Sequence, residues 1–359
     1  MVPPIFGPPG GDSKEMISKG GMVNKERPIL AITIGDPAGV GPEVTVKALS
    51  DPGIYQIARP VVYADRCVLT AALRACGLET ALRRVDRPAK AGGEAGVIDY
   101  IDVGVLDKQV SWGVVSVEGG RAGFTYLDRA IAAALAGEVD AVVTAPLNKE
   151  SLKAAAVGFI DHTAVLVARA SLYQPMTLFV ADTLRIFFLT RHIPFREIAD
   201  AITGPEIDAA LPHCIRYLGH LGIENPTLAV AALNPHGGER GLFGREEMDV
   251  IAPAVERAKR LGYRVAGPVP ADSVFHQARE GRYDGVLSLY HDQGHIAAKT
   301  LDFHGTVSLT MGLRFLRTSV DHGTAFDIAG KGIVDDRGMV NALQVAGQYA
   351  LGVKARLHL

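Results

Sequence analysis

The sequence predicts an α/β protein in two lobes, with mixed sheets covered by helices on both faces. Three observations predict it. From Pro28 onward, short apolar runs alternate with amphipathic helical patterns, the signature of βαβ units. One mid-chain segment breaks that rhythm with two apolar runs joined by a two-residue turn, which brings antiparallel pairing into the sheet. The length of 359 residues, at roughly 150 residues per domain, makes two domains.

Taken in order, residues 1–27 are rich in Pro, Gly and charge and lack the apolar core of a signal peptide, so they read as a flexible leader. Met22, just ahead of the first strand, fits an upstream start-site extension. Strands are predicted over 29–34, 60–64, 141–144, 227–233, 285–289 and 306–310. Apolar residues at three- and four-residue spacing predict helices over 119–137, 205–221 and 245–261. The hairpin is formed by 176–181 and 184–189 around Asp182-Thr183. Cleft hinges near Thr144–Asn148 and Arg314–Ser319 divide the chain into a first lobe of 28–145 plus 318–359 and a second lobe of 146–317.

Composition narrows the function. Hydrophobic residues make up 48% and charged residues 21%, ordinary globular usage that excludes overall disorder. Lys plus Arg (37) nearly balances Asp plus Glu (39), so no global field favours nucleic acid or a membrane surface. Only Cys67, Cys76 and Cys214 are present, with no C-x-x-C pair, which argues against a disulfide scaffold and for the cytoplasm. No apolar stretch approaches the ~18 residues of a membrane span; the small-residue run 130–137 is closed by Arg129 and Glu138. The default partner is a small molecule.

Open parallel sheets bind ligands beyond the carboxyl ends of their strands. Three histidines stand in that place on separate elements: His192 after 186–191, His236 after 229–235 and His291 after 286–290. Three imidazoles converging there suit one divalent cation with positions left for substrate oxygens, and Asp292 and Gln293 are candidates for a supporting acceptor or a further oxygen ligand. The signal is positional, since the separations match no short zinc motif; the competing reading is three unrelated histidines.

Two Gly-rich segments remain. The turn 35–43 follows the first strand and opens a helix, but it is neither G-x-G-x-x-G nor a P-loop, because Pro42 and Glu43 stand where Lys and a hydroxyl are needed. Pro42 suits the first helical turn, so this is a tight strand-to-helix connection. In 317–332, small residues permit close approach of a flat ligand, and Asp327 could accept from an adenine or ribose donor.

The run H-G-T-A-F-D-I-A-G-K-G (322–332) is similar to the adenosine-binding loop of the isocitrate and isopropylmalate dehydrogenases. Together with I-G-D-P-A-G-V-G-P-E (34–43), T-A-P-L-N-K (144–149), D-H-T (161–163), N-P-H-G-G-E (234–239), P-A-D-S-V-F (270–275), Y-H-D-Q-G-H (290–295) and R-T-S-V-D-H-G-T-A (317–325), it resembles the 4-hydroxythreonine-4-phosphate dehydrogenase family from Pro28 to the end. The resemblance implies an isocitrate/isopropylmalate dehydrogenase-like fold without a Rossmann fingerprint, and a homodimer with its active site at the subunit interface. It implies His192, His236 and His291 as metal ligands, and His162, Thr163, Lys299, Ser308 and Arg317 as substrate-binding residues. Cofactor binding falls to His322, Gly323, Thr324, Ala325 and Asp327. Lys299 and Asp292 are the candidate catalytic groups, and Lys299 could serve as base or as a charged phosphate ligand.

The implied reaction is oxidation of a phosphorylated 3-hydroxy acid by NAD or NADP, aided by one divalent metal (Zn, Mg, Mn or Co), followed by decarboxylation. Asp161, Ala164, Ser308 and Arg314 depart from the family's usual Gly, Glu, Asn and Pro. They keep open the catabolic relatives acting on 4-phospho-D-threonate, 4-phospho-D-erythronate or aromatic cis-dihydrodiol carboxylates. A metal-dependent hydrolase would use the same histidines but leaves 322–332 unexplained, and a non-catalytic binding protein would have no reason to keep them.

Overall fold

Strands covered on both faces favour near-continuous apolar runs, and Ile29–Thr33 and Ala141–Thr144 have them up to a closing Thr: nearly every residue in the two is buried. The computed structural model describes residues 27–357, so the expected leader lies, apart from Arg27, outside the described residues. The strands are β1 (Ile29–Thr33), β2 (Arg59–Ala64), β3 (Ala81–Arg84), β4 (Val97–Asp102), β5 (Ala141–Thr144), β6 (Ser171–Ala181), β7 (Leu184–Phe188), β8 (Leu228–Ala231), β9 (Val265–Val269), β10 (Gly285–Ser288), β11 (Val307–Leu313) and β12 (Leu316–Ser319). They form one sheet in the order β3-β4-β2-β1-β5-β12-β11-β6-β7-β10-β8-β9.

From β3 to β12 every neighbouring pair is parallel. β11 then pairs antiparallel with β12 and with β6, and β6 antiparallel with β7. Beyond β7 the pairs with β10, β8 and β9 are parallel again. Two parallel blocks therefore flank an antiparallel centre. The hairpin read from the sequence is the β6–β7 connection, with Asp182 in the left-handed region (φ 54°). β3, β4, β9 and β12 were not among the predicted strands; β3 is half exposed and β12 carries a buried Arg, so neither reads as an apolar run.

The helix Val117–Leu135 shows how the chain reaches its site loops. Ser116 accepts from Gly119 N–H at its start (3.0 Å), and Tyr126, Leu127, Ala130 and Ile131 bury its apolar face. A Cβ on Gly120 would lie 2.0 Å from Ser151 O, so a larger residue would push the 144–151 loop away. Gly35 is left-handed (φ 67°), and its own Cβ would strike Pro146 O at 2.1 Å. No helix of the described residues is long and apolar enough to cross a membrane.

Candidate active site

Side chains alternate across a strand, so residues two apart share a face. In the antiparallel centre that alternation builds a polar floor. Thr177 of β6, Thr310 of β11 and Arg317 of β12 are register partners in one row. Phe179, Ser308, Ser319 and Thr144 of β5 form the next. Arg317 donates through NH1 to Thr310 Oγ1 (3.0 Å) and through Nε and NH2 to Thr144 Oγ1 (3.1 and 2.6 Å). Ser319 Oγ accepts from the Thr144 hydroxyl (3.0 Å).

Arg317 is only 6% exposed, and its partners are neutral hydroxyls. Burial pushes its pKa down to about 10, with the charge of Asp161 acting weakly in the other direction. A second guanidinium, Arg191, donates to Thr177 Oγ1 and is likewise lowered by burial. Both cations face a cavity of about 620 Å³ whose walls include His192, His291, His295, Lys299 and Asp321. Buried cations without a carboxylate in contact attract an anion.

The β7–β10 ladder continues past the strand ends, with Leu189 N–H donating to Ser288 O (2.8 Å) and Thr190 N–H to Leu289 O (3.2 Å). His192 and His291 therefore leave adjacent strands side by side, with ring centroids 5.9 Å apart. His291 Nδ1 lies 2.6 Å from Asp292 Oδ1, which orients the ring and leaves Nε2 free. His295 stacks on the same ring at 3.6 Å. Burial first, and the Arg191 charge second, keep His192 below the usual imidazole range, the neutral form a metal ion needs.

His236 is not brought to this pair. After β8 the chain turns through residues with φ of 53°, 68°, 78°, 44° and 56° from His236 to Arg240, leaving the exposed His236 ring 4.0 Å from Asp272. Among the described residues no three His, Cys, Asp or Glu side chains gather to hold a metal ion. One chain thus supplies two fitting donors with their supporting carboxylate. Gln293, considered as a ligand, is committed elsewhere: its amide accepts from Leu289 N–H (2.8 Å) and donates to Ala232 O (2.8 Å).

His162 opens the helix His162–Ala170, capped by Asp161, which accepts from Ala164 N–H (2.9 Å). Burial, and then the Arg317 charge, push His162 down to about 3, and its Nε2 is buried without a protein partner. Thr163 and Ser308 line the cavity. Lys299 Nζ lies 2.7 Å from Asp321 Oδ2, an ion pair that holds the ammonium at the cavity wall. Arg314, expected to bring charge beside Arg317, is instead exposed at the β11–β12 turn, where its backbone N–H donates to Ala170 O (2.9 Å).

The segment 322–332 rests on the turn 35–43. Val40 N–H donates to Thr324 O (2.9 Å), and Glu43, fully buried, accepts from Gly330 N–H (2.7 Å) and Gly332 N–H (2.6 Å). His322, Gly323 and Asp327 are exposed, while Thr324 and Ala325 are half-buried, Ala325 at φ 40°. The Asp327 carbonyl accepts from Lys331 Nζ (2.7 Å). The outer face of the loop is open, as a flat ligand requires.

Sequence reasoning missed Arg191, Asp321, Thr144, Thr177, Thr310 and His295. Arg191 directly precedes His192 and Asp321 directly precedes His322, so proximity was a usable signal. The hydroxyls become visible only once β6, β11, β12 and β5 are laid side by side.

Residues 56–346 match the family described as pyridoxal phosphate biosynthetic protein PdxA. The chain is 49% identical over 325 residues to a protein of Symbiobacterium thermophilum provisionally named a D-threonate 4-phosphate dehydrogenase, covering 90% of this chain and 97% of that one. A similarly named protein of Halalkalibacterium halodurans is also 49% identical, over 90% and 98%. Among solved structures, a 4-hydroxythreonine-4-phosphate dehydrogenase from Klebsiella pneumoniae matches with TM-score 0.85 and 39% identity, over 91% of this chain and 99% of that one.

Proposed function

The chain belongs to the PdxA family and is a dehydrogenase acting on a CH–OH group, and from that premise we propose that it oxidises a phosphorylated four-carbon hydroxy acid with NAD or NADP. The substrate is D-threonate 4-phosphate or 4-hydroxythreonine-4-phosphate. The hydride leaves the substrate's secondary alcohol carbon for the nicotinamide, the hydroxyl proton goes to a base, and the resulting 3-oxo acid loses CO2.

The observation that carries this reading is the buried Arg317 guanidinium, held by two threonine hydroxyls and open to the cavity. It binds an anionic oxygen of the substrate and, with Lys299, fixes the carbon skeleton beside His192 and His291. The neutral His162 offers Nε2 to a substrate oxygen. Lys299, paired with Asp321, acts as an anion ligand, and Asp292 orients His291. The open face of 322–327 receives the adenosine end of the dinucleotide.

In this reading His192 and His291 would hold a divalent ion, and the exposed His236, which this chain turns toward Asp272, would complete the set from a second copy in the homodimer that the family resemblance implies. When bound, such an ion polarises the alcohol and stabilises negative charge on oxygen.

The test is absorbance at the reduced-nicotinamide wavelength, with NAD or NADP, a divalent metal, and both phosphorylated acids. Reduction of the cofactor with release of CO2 is expected. Turnover without a nicotinamide would replace the dehydrogenase reading with a hydrolase.

A further inference from the structure

We propose that Arg191 is the specificity-determining residue of this site, selecting a substrate with a hydroxyl rather than an amine beside its carboxylate. This rests on the dehydrogenase reading above and chooses between its two substrates.

Thr177 and Thr310 are register partners on β6 and β11, strands that lie about 4.8 Å apart. Arg191 donates to the first hydroxyl and Arg317 to the second. Two guanidinium groups are thus hung on adjacent hydroxyls over one cavity. Asp321, an acid on the wall, is already paired with Lys299, and Asp292 stands against His291. Asp161 caps its helix, its Oδ1 accepting from the Ala164 N–H (2.9 Å).

Two like charges this close repel unless an anion sits between them. A phosphorylated hydroxy acid brings a phosphate and a carboxylate, one for each guanidinium. With its carboxylate on Arg191, the corresponding amino acid brings an ammonium against that guanidinium; of the acids lining the cavity, Asp321 is neutralised by Lys299, and Asp292 is held against His291 instead of Arg191. Repulsion and desolvation both disfavour that ammonium. A hydroxyl in the same place accepts from the guanidinium and donates to a floor hydroxyl. Among the two phosphorylated acids, D-threonate 4-phosphate is therefore the preferred substrate.

The experiment compares wild type, Arg191→Gln and Arg191→Lys on D-threonate 4-phosphate and 4-hydroxythreonine-4-phosphate, by reduced-nicotinamide absorbance and by calorimetric binding. Wild type is expected to favour the hydroxy acid. Arg191→Gln should lower kcat/KM for it about a hundredfold, mostly through KM, while changing the amino acid less than fivefold. Arg191→Lys should recover part of the loss. Equal loss on both substrates, or no change in their ratio, would overturn the role of Arg191. If wild type turned over neither compound, the dehydrogenase reading would fail. Binding would still decide this inference, which then requires D-threonate 4-phosphate to bind wild type more tightly than it binds the Gln variant.

Discussion

Two buried charges, Glu43 and Arg317, differ in what holds them. Glu43 is fully buried, and its two oxygens accept from the backbone amides of Gly330 and Gly332. Arg317 is nearly as buried, but threonine hydroxyls are its partners. A buried carboxylate held by two backbone amides locks backbone to backbone; a buried cation held only by neutral hydroxyls still attracts a counter-charge. The contrast separates scaffold from candidate site: Glu43 ties down the 322–332 segment through its backbone, and Arg317 faces the cavity.

Substitution tests the contrast directly. Arg317→Ala should cut kcat/KM by about 10²–10³ while keeping or raising the melting temperature, because it removes an uncompensated cation. A matching loss of stability would show that Arg317 is structural instead. Glu43→Ala should do the reverse, costing about 2–4 kcal/mol of stability by stranding two buried amides, readable by urea unfolding. Unchanged stability there would remove the distinction.

A smaller effect concerns His162, held at about 3 in the folded chain against roughly 6.5 unfolded. Between those values the unfolded chain binds a proton that the native one does not, so stability falls as pH drops and is fully present above about 6.5. Melting curves of His162→Asn should lose stability less steeply than wild type between about pH 6.5 and 4; parallel curves would place the buried imidazole elsewhere.

β1, β2, β5, β8 and β10 were legible as short, mostly apolar runs, and the β6–β7 hairpin because a two-residue turn separates two such runs; β3, β4 and β9, also parallel, were not, because Arg83 and Arg84, Asp99 and Asp102, and Gly267-Pro268 interrupt theirs. β12 was not legible as a strand. Its Arg317 and Ser319 face the floor, so Leu316–Ser319 looks like the start of the Gly-rich segment that follows it. His192 and His291 were singled out from their places after apolar runs, and those places meet because β7 and β10 are neighbours. The same reasoning grouped His236 with them. The left-handed run from His236 to Arg240 turns that ring toward Asp272, a backbone excursion that composition does not announce.

The sequence by itself determined the α/β class, the hairpin, the family motifs and the chemistry available at strand ends. Those depend on local periodicity and on residue types at fixed spacing. Which charges are left unpaired was decided by the tertiary structure alone. Thr177, Thr310, Arg317 and Thr144 come from four strands and share a face only through their register. Burial then lowers the pKa of Arg317, since desolvation acts only after the chain has excluded water around it.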